Sequence, residues 1–133
     1  MRGIVLADTG PLYAARDPND HQHERSQREL RSLRSQNLKF VVPYPALLEG
    51  YALVMRKLGI REAHGFLYEV VNGSFLVNPT PEDYRKASLR LLRYEDQNIT
   101  LVDAVITETA DRLGAPAWTF DHHFDVMGAA VWR

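Results

Sequence analysis

Around the stretch 100–125, TLVDAVITETADRLGAPAWTFDHHFD, the rest of the chain can be placed. Thr100 suits a helix N-cap with Asp103 at the third helical position. Val102, Val105, Ile106 and Leu113 mark one apolar face before Gly114 and Pro116 stop the helix. Ala117 to Phe120 then reads as a short buried strand, with Asp121 just past its carboxyl end. If that strand is parallel to its neighbours, the short link from Gly114 makes the helix run antiparallel to it. The helix start then returns to the strand's carboxyl edge, and Asp103 and Asp121 are expected to face each other.

Working outward, Gly3 to Ala7 is a continuous apolar run that suits a central strand and delivers Asp8 at its end. Thr9, Gly10 and Pro11 turn the chain into a short helix through Arg16. Asp17 to Asp20 form a turn and an N-cap for a polar helix, His21 to about Ser35. That helix carries Arg25, Arg28, Arg31 and Arg34 at three-residue spacing, with only Leu30 and Leu33 to dock it. Lys39 to Val42 is a second strand. A third helix follows with the stripe Leu47, Leu48, Tyr51, Met55 and Leu58, ending at Gly59, and with Glu49 in its first turns, off the stripe. Ile60 to Val71 repeats the pattern through Ile60, Ala63, Leu67, Val70 and Val71. After a strand at Ser74 to Val77, Thr80 to Asp83 open a fifth helix with a capping box. Tyr84, Ala87, Leu91 and Tyr94 are predicted inward, and Lys86, Arg90 and Arg93 outward as one basic line. Ala129 to Trp132 can add an edge strand. The alternation predicts an α/β three-layer sandwich, a mostly parallel sheet of four to five short strands between helices, in a single domain over residues 1–133.

Composition narrows the partners. Sixteen basic against seventeen acidic side chains give a formal net charge of -1, so no global positive field announces nucleic acid, and a polyanion must be met by a local patch. The absence of cysteine removes disulfides, thiolate metal sites and cysteine nucleophiles. The apolar run from Ile4 is too short for a signal peptide or membrane span, and a cytoplasmic protein is expected.

The chemistry lies in four acids. Asp8 and Asp121 follow apolar strands, while Glu49 and Asp103 lie in first turns of helices that begin at the same sheet edge, where ligand sites of open α/β sheets form. Four converging carboxylates repel, each close pair by roughly 4 kcal/mol at an effective dielectric near 20. A divalent cation offsets this, and all-oxygen ligands suit Mg²⁺ or Mn²⁺. Such an ion in an open cleft suggests phosphoryl chemistry by metal-activated water, with flanking arginines on a phosphate backbone.

These residues also resemble the PIN-domain ribonucleases, most closely the VapC-type toxins of toxin-antitoxin pairs. IVLADTGPLYA looks like the family's opening strand and aspartate, Glu49 in PALLEG like its helical glutamate, Asp103 in ITLVDAVI like its third acid, and Asp121 in WTFDHHF like its fourth. The resemblance runs from Ile4 to the C-terminus. It implies a PIN-like fold and a metal-dependent RNA endonuclease leaving 5′-phosphate and 3′-hydroxyl ends. It also implies a homodimer neutralised by an antitoxin in the cleft. Thr9, Thr100 and Thr119 match hydroxyl positions flanking the acids, whereas Gly10 stands where many relatives carry serine or asparagine.

Other signals are weaker. Asp125 and Asp96 are candidates for further metal oxygens. His122 and His123, read as adjacent residues of an extended segment, point opposite ways and do not easily share one ion, so His122 is assigned to substrate phosphate or a surface role. His21 and His23 are expected to be solvated. Arg25, Arg28, Lys86, Arg90 and Arg93 are candidate RNA contacts, although Glu24 and Glu29 are placed to blunt the arginine series. Trp118 and Phe120 read as core aromatics. Two alternatives stay open: a catalytically silent RNA- or protein-binding module of the same fold, and a receiver-type signalling domain, which the lack of any lysine after Lys86 disfavours.

Overall fold

The computed structural model describes residues 3–133. Ile4–Ala7 forms β1, a strand buried along its whole length as its unbroken apolar sequence requires. Lys39–Pro43 (β2), Phe75–Val77 (β3) and Ala117–Trp118 (β4) join it in one sheet of order β3-β2-β1-β4. All three pairings are parallel. The carboxyl ends of the strands therefore share one edge, and every element leaving that edge contributes to a common surface.

Helices fill the connections: Thr9–Arg16 (α1), His23–Ser35 (α2), Tyr44–Leu58 (α3), Ile60–Gly73 (α4), Pro81–Leu91 (α5), Leu101–Leu113 (α6) and His123–Val126 (α7). α6 starts from Thr100 in a capping box with Asp103 and ends on Gly114, whose φ of 63° gives the left-handed cap that glycine adopts without steric cost. The core is continuous from Val5, Leu6 and Val42 to Ile106, Trp118 and Phe124, all essentially inaccessible to solvent. Each such large apolar side chain contributes about 1.5–3 kcal/mol by burial.

The layered α/β architecture matches the sequence reading, with instructive differences. β4 is two residues long, not four, because the Thr119 side chain turns to hydrogen-bond Asp8 and the Asp121 backbone. The predicted edge strand at 129–132 is reduced to a single bridge between Ala117 and Val131. α2 begins at His23, two residues late, since Asp20 caps the intervening turn by accepting from the Gln22 N–H. Nor is α2 weakly anchored: Ser26 donates to the Pro11 carbonyl, Gln27 to that of Ala15, and the Trp118 indole N–H to Glu29. The His23 ring lies 2.7 Å from the Ala14 carbonyl and is not simply solvated.

The apolar faces of α3 and α4 are rotated from their predicted positions. α3 buries Ala46, Leu47, Gly50 and Val54 and exposes Leu48 and Met55. α4 buries Ala63, Phe66 and Val70 and exposes Ile60, Leu67 and Val71. The cause is close approach: a Cβ on Gly50 would stand 2.7 Å from the Phe66 ring, so the interface selects small residues that a count of large apolar side chains overlooks. Tyr84, predicted inward, is exposed and lines a recess with Pro45, Leu48 and Glu49.

Candidate active site

The parallel register brings the first and last strands together at the site. Ala7 pairs with Trp118, and the Asp8 N–H donates to the Trp118 carbonyl at 2.9 Å. One residue further on, the Thr119 hydroxyl donates to Asp8 Oδ2 at 2.8 Å while accepting the Asp121 N–H at 3.0 Å. A single hydroxyl thus ties the acid after β1 to the acid after β4. Asp121 is held a second time, by the His123 N–H at 2.9 Å to its Oδ1.

Asp103 arrives on α6. Thr100 Oγ1 accepts the Asp103 N–H at 3.2 Å, and Asp103 Oδ2 accepts the Thr100 N–H at 3.3 Å. Glu49 arrives on the second turn of α3, which starts directly where β2 ends, and is exposed.

Electrostatics shows that these carboxylates feel one another. Burial pushes the Asp8 carboxyl from an ordinary 3.8 up to about 7, with repulsion from Asp103 and Glu49 adding to the rise and hydrogen bonds from Thr119 and the Thr9 backbone opposing it. Asp103 is likewise raised, by burial first and then by the charges of Asp121 and Glu49. Among the described residues no lysine or arginine forms an ion pair with Asp8, Glu49 or Asp103. The buried Thr9 hydroxyl, next to Asp8, has no hydrogen-bond partner. Oxygen-rich, negatively charged and short of donors, this edge has the donor chemistry that suits a hard divalent cation.

The remaining candidates separate. Arg25 stacks its guanidinium 4.2 Å from the Phe120 ring centroid, and with His122, Thr119 and Asp121 it walls a recess of about 180 Å³ beside the acids. Asp125 shares that recess but is ion-paired to Arg133 at 2.7 Å. Arg90 does not stand in an outward basic line: it binds Glu108, Asp111 and the Met127 carbonyl and is mostly buried. Arg28, Lys86 and Arg93 are exposed.

The two histidines also differ from expectation. His122 has helical dihedrals at the start of α7 (φ -63°, ψ -18°), so the adjacent side chains diverge by far less than on a strand. Their rings lie 4.4 Å apart, both beside Asp121 Oδ1. Sequence reasoning also missed Thr107, a buried hydroxyl without a hydrogen-bond partner one turn beyond Asp103. A threonine in the middle of a helix gives no signal of that kind.

The same arrangement of elements occurs in solved structures. The VapC20 toxin of Mycobacterium tuberculosis, described as cleaving the sarcin-ricin loop, superposes with a TM-score of 0.85 at 21% identity, over 97% of this chain and 98% of its own. VapBC2 of Rickettsia felis, solved on a promoter DNA fragment, gives 0.74 at 13% identity over 98% and 97%. FitAcB of Neisseria gonorrhoeae gives 0.69 at 18% identity over 97% and 96%. No curated protein matches by sequence. A family model of the PIN domain, however, matches residues 5–130, a span that runs from β1 past Asp121, and on that match the chain belongs to the PIN domain family.

Proposed function

We propose that this chain is a metal-dependent endoribonuclease, the toxin half of a toxin-antitoxin pair, with Asp8, Glu49, Asp103 and Asp121 holding Mg²⁺ or Mn²⁺. The observation that carries the reading is Asp8: a buried carboxyl, raised to about 7, beside further acids and without a cationic side chain. A domain that keeps such a group unneutralised bears a cost that a bound cation removes. In such a pocket a divalent ion supplies an acidified water and a counter-charge for the leaving oxygen.

The chain's own residues do the positioning. Thr119 orients Asp8 and the backbone of Asp121, and Thr100 fixes Asp103 through its cap. Arg25, which also pairs with Glu29 through Nε, and His122 line the neighbouring recess and would meet a backbone phosphate there. Arg28, Lys86 and Arg93 are exposed cations that extend the contact to RNA at lower specificity. Arg90 is left out, its donors being taken within the fold.

The VapBC and FitAB complexes among the structural neighbours support an antitoxin partner. Exposed Leu48, Leu67, Tyr68 and Val71 on α3 and α4 support the apolar surface that an antitoxin or a second copy in a homodimer would cover. No helix among the described residues is long and apolar enough to cross a membrane, and a cytoplasmic location is part of the proposal.

The test is incubation of the purified protein with structured RNAs, a sarcin-ricin stem-loop among them, in Mn²⁺ or in chelator, beside Asp8→Asn and Asp121→Asn. Cleavage is expected only for the wild type with metal. Cleavage that persists in chelator, or in both variants, removes the proposal.

A further inference from the structure

One cluster at the edge of the acidic pocket differs from it in chemistry. Asp121, His122 and His123 bring a carboxylate oxygen and two imidazole nitrogens within 4.8 Å of one another. From Asp121 Oδ1, Nδ1 of His123 is 3.2 Å away and Nδ1 of His122 is 3.8 Å away. Bond lengths of about 2.0–2.1 Å to zinc put neighbouring tetrahedral ligands about 3.3 Å apart, so the trio needs little movement to close on an ion. Neither ring has another hydrogen-bond partner among the described residues, leaving its nitrogens available.

The scaffold holds the trio in place. The His123 N–H donates to Asp121 Oδ1, the Asp121 N–H donates to Thr119, and Phe124, the next residue, is fully buried. The His123 side chain is 16% exposed and that of His122 76%, so one nitrogen ligand is fixed and the other lies at an open mouth. Three protein ligands with a free position suit a borderline ion, for which imidazole is a better partner than for Mg²⁺.

We propose that Asp121, His122 and His123 form a site for a borderline transition-metal ion, Zn²⁺ foremost, and that its occupation takes Asp121 away from the acidic pocket and inhibits RNA cleavage. The inhibition rests on the nuclease reading above; the binding does not. Because Asp121 is the one carboxylate common to both groups, an ion held by the trio competes for it with an ion held by Asp8, Glu49 and Asp103. The chain thus carries a brake that responds to metal identity.

The experiment titrates Zn²⁺ alone against a chromophoric chelator with the wild type, His122→Ala, His123→Ala and Asp8→Asn. The wild type and Asp8→Asn are expected to compete for one Zn²⁺ per chain with equal affinity, and each histidine variant to bind at least about tenfold more weakly. Because the His123 ring is mostly enclosed, circular dichroism checks the fold of that variant, and His122→Ala on its exposed ring decides the matter if His123→Ala does not fold. Wild-type affinity in the histidine variants, as for zinc held at His21 or His64, overturns the site. So does loss of binding in Asp8→Asn, which would put zinc among the acids. A second arm adds Zn²⁺ to cleavage assays in Mg²⁺, where the wild type is expected to be inhibited and His123→Ala to resist. Equal inhibition of both overturns the brake. If the wild type cuts no RNA under any condition, the nuclease reading fails while the chelator titration still decides the zinc site.

Discussion

Asp83 and Asp103 occupy the same position in two copies of one local motif, a threonine N-cap with an aspartate at N3, and both are buried. Their surroundings are opposite. Asp83 meets the Arg112 guanidinium at 3.0 Å and the Thr109 hydroxyl at 3.4 Å. Burial works to raise its carboxyl, but the hydrogen bonds from Arg112 and Thr80 outweigh it and hold the group below the ordinary range. Asp103 has the same cap and no such cation, and burial together with Asp121 and Glu49 holds it above that range. A capping box is satisfied by itself. What separates the two acids is whether the fold also supplies a counter-charge.

Exchanging each acid for its amide separates Asp83 from Asp103 by the widest margin. Asp103→Asn removes one carboxylate from the proposed cation site; at roughly 4 kcal/mol for a close charge pair this costs about a thousandfold in RNA cleavage, measured as single-turnover rate. Asp83→Asn is expected to lower stability while leaving the rate per folded molecule within about threefold of wild type, a difference of under roughly 1 kcal/mol. Equal losses in both would dissolve the distinction.

The uncompensated acids also differ from Asp83 in how stability depends on pH. An unfolded aspartate titrates near 3.8 and folded Asp8 near 7, so the native state holds this proton more tightly than the unfolded chain does. In chelator, the contribution of Asp8 therefore favours folding most below about pH 4 and declines as pH rises through 7, by on the order of 4 kcal/mol in all. Asp8→Asn, which keeps an oxygen for Thr119, is expected to raise the melting temperature of the metal-free protein at pH 8. A lower melting temperature there would show that Asp8 is already compensated. The smallest effect belongs to the paired acid: Arg112→Ala leaves Asp83 buried with one partner fewer. Because the arginine is partly exposed, chemical denaturation should record a loss of about 1–3 kcal/mol.

Much of this was legible in the sequence because the carrying signals are local. Thr100 with Asp103, Gly114 as a helix stop, and apolar strands ending in Asp8 and Asp121 each rest on a few neighbouring residues, and the parallel sheet order then brings their ends to one edge. Less legible were features set by partners distant in the chain. Gly50 is buried under Phe66, Arg90 is consumed by Glu108 and Asp111, and α2 is docked by Ser26 and Gln27 through carbonyls of α1. A small or polar residue gives no periodic signal for such contacts. The histidine pair misled for a related reason: its separation depends on whether the backbone after Phe120 is extended or helical, and the turn at Thr119 decides that.

Whether the uncompensated acids hold a divalent cation is tested, without reference to RNA, by a Mn²⁺ titration followed by electron paramagnetic resonance. The wild type and Arg112→Ala are expected to bind Mn²⁺ with matching affinity, and Asp8→Asn and Asp103→Asn to lose at least about tenfold. Equal Mn²⁺ affinity in all four proteins would show that Asp8 and Asp103 do not hold the cation.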